Sequence, residues 1–223
     1  MHDLSRRELL SRAAVAPLAG ALLSVGAAGA ARSAPGASMD EQAQARENIR
    51  KRNFPNIRLQ TQDGKTVHFY DDLVKDKVVT LNFFFSNCDE VCPLVTANLV
   101  KVQKLLANHV GRDIFMNSIT LKPEEDTPAV LKKFMQKFNA KPEGWNFLTG
   151  KPADIELLRK SLGFTYPEPA IDKDKTQHIG NVRYGNEPLM LWGACPGMAH
   201  APFIAESISW MIRPETKLAI ANG

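Results

Sequence analysis

Two cysteines, Cys88 and Cys92, are separated by three residues, and Pro93 follows the second directly. A third, Cys195, lies far downstream in a stretch that also holds Met198 and His200. Three cysteines are too few for a disulfide scaffold. A close pair of sulfurs has two chemistries: it can close a disulfide, or act as paired soft donors that select Cu(I), zinc or iron–sulfur clusters. Structural zinc and clusters each call for about four protein ligands, and only two cysteines are local. Two sulfurs with one imidazole make a three-coordinate site that suits Cu(I). The histidines of the domain are His68, His109, His178 and His200. His68 falls in an early hairpin and His109 near the far end of the helix after Pro93. His178 opens a late hairpin that can lie over the cysteine loop.

The elements flanking the pair are readable. Val78, Val79, Leu81, Phe83, Phe84 and Phe85 form a nearly unbroken apolar run, the pattern of a strand buried on both faces. After the cysteines, Val95, Leu99, Val102 and Leu106 recur on one helical face. Proline at the first helical position places Cys92 at or beside the N-cap, where free N–H groups and the helix dipole favour a thiolate. Both sulfurs then sit at the carboxyl end of a central strand, where α/β folds bind ligands.

The remaining elements follow from period and punctuation. Residues 57–61 and 66–69 flank Asp63-Gly64 as a hairpin, and 70–74 make one helical turn. Residues 113–121 read as a second parallel strand. Thr127-Pro128 is an N-cap with proline at the first helical position, ahead of Val130, Leu131, Phe134 and Phe138. Residues 145–148 form a short strand and 151–162 a helix capped by Gly163. Residues 166–175 read as loop. Strands at 178–183 and 189–192 are separated by Tyr184-Gly185-Asn186, and 201–212 close as a helix. The alternation predicts a parallel-dominated α/β sheet with a terminal antiparallel hairpin.

The first 34 residues read as an address. Arg6-Arg7 and a leucine pair precede an Ala/Leu/Gly-rich run, with small residues near Ala30 for cleavage, and the twin arginines fit a twin-arginine export signal. Export puts the folded part in the periplasm, where disulfides persist; an uncleaved signal would add membrane contact. Residues 35–53 read as a linker with a short helix near 39–52, 54–215 as the domain, and 216–223 as a tail. The formal net charge of +4 owes much to Arg6, Arg7, Arg12 and Arg32 in the leader. Without a long Lys/Arg run, a nucleic-acid partner has no motive.

The segment from Phe83 to Leu99, with Cys-x-x-x-Cys-Pro after an aromatic-rich strand, resembles the Sco/SenC family of thioredoxin-like copper-handling proteins. Phe54-Pro55-Asn56, the hairpin at Gly64, residues 69–73, Asp126-Thr127-Pro128, residues 144–150 and the lone His178 look like family landmarks in the right order. Lys122, before Pro123, departs from an acidic residue common there. The resemblance implies a thioredoxin-like fold, a central mixed sheet flanked by helices with an N-terminal hairpin. It implies copper, as Cu(I) and also Cu(II), on Cys88, Cys92 and His178, with Cys88 and Cys92 as a redox-active pair. The implied partner is a cytochrome c oxidase subunit with a binuclear copper site. The alternative is a thiol–disulfide oxidoreductase with a dithiol redox partner. Cys195, Met198 and His200, all soft or borderline donors, are candidates for an auxiliary copper contact.

Overall fold

A computed structural model describes residues 38–175 and 180–212. The expected export signal, His178 and the expected tail lie outside the described residues.

The apolar run becomes strand β3 (Val78–Phe84), buried at every position. It pairs in parallel with β4 (Ile114–Thr120), Val78 opposite Ile114 and Phe84 opposite Thr120. On its other side it pairs antiparallel with β6 (Asn181–Asn186). With β1 (Arg58–Thr61), β2 (Thr66–His68), β5 (Trp145–Gly150) and β7 (Leu191–Pro196), the strands form a seven-stranded sheet in the order β2-β1-β5-β4-β3-β6-β7. Only β3–β4 and β4–β5 are parallel. The sheet is therefore mixed rather than parallel-dominated, because β1, the first strand of the early hairpin, lies antiparallel to β5 and the late hairpin joins β3 antiparallel.

Helices α2 (Val91–Leu105), α3 (Pro128–Lys137), α4 (Pro152–Ser161) and α6 (Ala201–Ser209) accompany the sheet. Thr127 caps α3 as its sequence requires, its hydroxyl accepting from Val130 N–H. Phe84 meets Phe134 at 5.0 Å and Phe147 at 5.4 Å between ring centroids, tying β3 to α3 and β5. Three buried side chains of the sheet are linked in series: Trp145 Nε1 donates to Ser118 Oγ (2.9 Å), and Ser118 Oγ to Asn82 Oδ1 (2.7 Å).

Two elements differ from the sequence reading, while the short helix expected within residues 35–53 runs over Met39–Asn53 (α1). It is held to the domain by Arg46 Nη2 donating to the Glu187 carbonyl (3.1 Å) and by the Arg50 guanidinium 4.4 Å from the centre of the Tyr70 ring. Residues 166–175 contain a short helix, α5 (Pro169–Lys173). The late hairpin turns at residues 187–190, with Met190 at φ 51°, and not at Tyr184-Gly185-Asn186, which lie within β6. Gly185 is there because Trp192 crosses its face: a Cβ would stand 2.3 Å from Trp192 Cε3.

Candidate metal and dithiol site

Helix α2 begins at Val91, with Glu90 as its N-cap. Cys92 is thus the second helical residue and Pro93 the third, two positions deeper than expected. Cys88 lies in the preceding loop. Its backbone N–H donates to Phe85 O (3.4 Å), folding the chain back as it leaves β3. All three cysteines are thiols outside any disulfide, Cys88 partly exposed, Cys92 and Cys195 buried. Cys92 is hydrogen-bonded to Cys88 through its side chain. The pair expected from the sequence is therefore assembled, in reduced form.

The electrostatics run opposite to expectation. Burial pushes the Cys92 thiol well above the usual thiol range, and the hydrogen bond from Cys88 adds to this. Backbone hydrogen bonds at the loop and helix start pull the other way and are outweighed. Desolvation of a sulfur that is only 1% exposed exceeds what the helix terminus supplies. At neutral pH Cys92 is a protonated thiol, and metal capture must displace that proton.

The loop is stapled from below by Asp126. This carboxylate, 1% exposed, accepts from Ser86 N–H (3.1 Å), from the Ser86 hydroxyl and from the Thr120 hydroxyl. Asn87 Nδ2 donates to Glu125 Oε2 (2.6 Å), and Lys122 lies 4.4 Å from the centre of the Phe85 ring and 3.7 Å from Glu125. Charge-assisted hydrogen bonds of this kind add to the packing of Phe85 and Cys88 on the core in holding the loop. Sequence reading used Asp126 only as a landmark and missed Ser86. A serine and an aspartate forty residues apart carry no local signal of pairing.

The other candidates are placed as follows. His178 lies outside the described residues, but Gly180, two residues on, packs on the first turns of α2: a Cβ there would stand 2.8 Å from Val91 Cγ1 and 3.6 Å from Val95 Cγ2. Gly197 N–H donates to Gly180 O (2.7 Å), and Asn98 Nδ2 donates to the Gly197 and Ala199 carbonyls (2.8 and 2.7 Å). Cys195 belongs to β7, not to a loop. It pairs with Val182, which pairs with Asn82, so it is two strand spacings from β3, roughly 10 Å. Burial raises its thiol pKa. Met198 and His200 instead line an open cleft of about 500 Å³ beside Asn98 and Lys101, six residues or roughly 9 Å along α2 from Cys92. Among the described residues no three His, Cys, Asp or Glu side chains gather as a metal site.

A family model described as SCO1/SenC matches residues 46–212. An SCO1 protein homologue of Bacillus subtilis is 38% identical over 93 residues, covering 41% of this chain and 46% of that protein. The chain thus spans about half the length of this relative. The structure of BsSco, a member of the Sco family of cytochrome c oxidase assembly proteins in which a disulfide switch was identified, matches with a TM-score of 0.57 and 27% identity over 71% of this chain and 94% of that one. Copper-bound ScoI of Arabidopsis thaliana shares the fold, with a TM-score of 0.55 and 20% identity over 70% of this chain and 95% of that one.

Proposed function

This chain belongs to the SCO1/SenC family, and from that premise we propose that it is an exported copper carrier. It takes up Cu(I) as cargo and passes it to the binuclear copper site of a cytochrome c oxidase subunit. Cys88 and Cys92 supply two thiolates and His178 the imidazole; two thiol protons leave as the metal arrives. The observation that carries this reading is the hydrogen-bonded pair of thiols between the buried end of β3 and the start of α2. The packing of Gly180 against Val91 supports it further, because two residues of chain reach at most about 7 Å. The twin-arginine leader would deliver the folded domain to the periplasm.

The paired thiols also favour a second reading. As a dithiol, Cys88 attacks a partner disulfide and Cys92 displaces the mixed disulfide, so that this chain ends oxidised and the partner gains two thiols. One titration separates the two. The reduced chain, given Cu(I) against a competing chelator, should bind about one equivalent. Cys88→Ser and Cys92→Ser should abolish tight binding, and His178→Ala should weaken it by about tenfold or more. Wild-type affinity in His178→Ala, together with turnover of a disulfide substrate, would reject the carrier and leave the reductase.

A further inference from the structure

A second cleft, of about 480 Å³, lies between α1, the end of α4 and strands β3, β6 and β7. No residue of the cysteine loop lines it. Its walls include Phe54, Leu81 and Leu162, each buried in the core, and the ring of Trp192. The buried indole N–H of Trp192 has no acceptor among the described residues.

One charged residue, Arg183, lines the cleft, and no acid does. Among the described residues its guanidinium makes no hydrogen bond or ion pair, and its carbon lies 5.6 Å from the centre of the Phe164 ring. Gly163, at φ 69°, admits the guanidinium: a Cβ there would stand 2.8 Å from Arg183 Nη2. Burial alone depresses the Arg183 pKa, as expected of a cation with no carboxylate nearby. A half-buried guanidinium without a counter-ion is costly, and its planar fork matches a carboxylate with two hydrogen bonds. The volume falls within the range of small-ligand pockets.

We propose that this cleft binds a small organic carboxylate with a short apolar chain, its head on Arg183 and its chain against Phe54, Leu81, Leu162 and Trp192. The site is independent of the copper reading. The test is calorimetric titration of octanoate into the full reduced chain, with octan-1-ol as the uncharged control. Octanoate should bind saturably at one equivalent, and octan-1-ol, or octanoate with Arg183→Gln, at least about tenfold more weakly. Leu162→Trp should fill the cleft and abolish binding. Trp192 fluorescence should change as octanoate binds, and Trp192→Phe should lose that change. Thermal melts confirm that each variant is folded. Equal affinity for octanoate and octan-1-ol, wild-type affinity in folded Arg183→Gln, or no saturable heat up to about 10 mM, well short of the affinity a pocket of this size supports, would each overturn the proposal.

Discussion

Replacing Asp126 with alanine tests how the cysteine loop is held. The carboxylate accepts three hydrogen bonds, two of them from Ser86 and one from Thr120. Hydrogen bonds to a charged group contribute about 1.5–3 kcal/mol each, so the three together set a gross loss of about 5 kcal/mol or more. Two terms offset it. The hydroxyls can turn to other acceptors, and removing a carboxylate that is 1% exposed returns part of its desolvation cost. A net destabilisation of about 3 kcal/mol is expected, or roughly 6–12 °C in melting temperature for a domain of this size. Asp126→Asn keeps an acceptor and the shape but loses the charge, and should cost about half as much. Urea denaturation at pH 7 with reductant measures both. The rate at which Cys92 reacts with a small alkylating agent provides the second readout, and it should rise as Ser86 is released. A loss under about 1 kcal/mol for alanine, or an unchanged alkylation rate, would show that the loop is positioned by something other than this staple.

Three further outcomes are expected. The Cys92 thiol is raised in the folded state, so the unfolded chain ionises first as pH climbs. The stability this provides is complete below about pH 8.5 and falls by about 1.4 kcal/mol per pH unit above it. Urea midpoints of the reduced protein between pH 8 and 10 should show that slope reduced in Cys92→Ala, and identical slopes would refute the assignment. At the acid end, Arg159 lowers the Glu156 pKa to about 2, helped by Lys175, and also holds that of Asp172 low. Their contribution is present above about pH 4 and is lost as pH falls towards 2. Amide exchange in α5 should therefore accelerate before global unfolding, and Asp172→Asn should remove the effect. Finally, Gly144→Ala should cost about 3 kcal/mol, because its Cβ would stand 2.2 Å from the Gly111 backbone nitrogen at φ 76°. Gly64→Ala, at a similar φ with nothing within 4 Å, should cost only about 1 kcal/mol. Equal melting temperatures for the two variants would contradict the steric account.

The parts of the fold that announce themselves in sequence are those set by short-range physics. The apolar run of β3, the Thr127-Pro128 start of α3 and the hairpin around Asp63-Gly64 each carry their cause within a few residues. The errors arise where a distant partner decides. Gly185-Asn186 has turn composition, yet Gly185 makes room for Trp192 and Asn186 Nδ2 donates to the Met211 carbonyl (2.8 Å). Helix α5 hides in a stretch rich in proline and charge. Its Asp172 is fixed by a two-point hydrogen bond with Arg159 (both contacts 2.7 Å), which no periodicity displays. At the site, the pairing of Cys88 and Cys92 follows from spacing. The protonation of Cys92 does not, because it depends on how deeply the core closes over the first turn of α2.

The two margins of the sheet are unequally defended against self-association. β2 is only three residues long and turns Thr66 and His68 outward. β7 presents six residues without a single charge, and only Pro196 at its end breaks the row of backbone donors. Strands of this kind at the end of a sheet, as β7 is among the described residues, recruit copies of themselves. Concentrated or partly denatured samples should therefore stick together first along β7, and a lysine at exposed position 194 is the simplest gatekeeper.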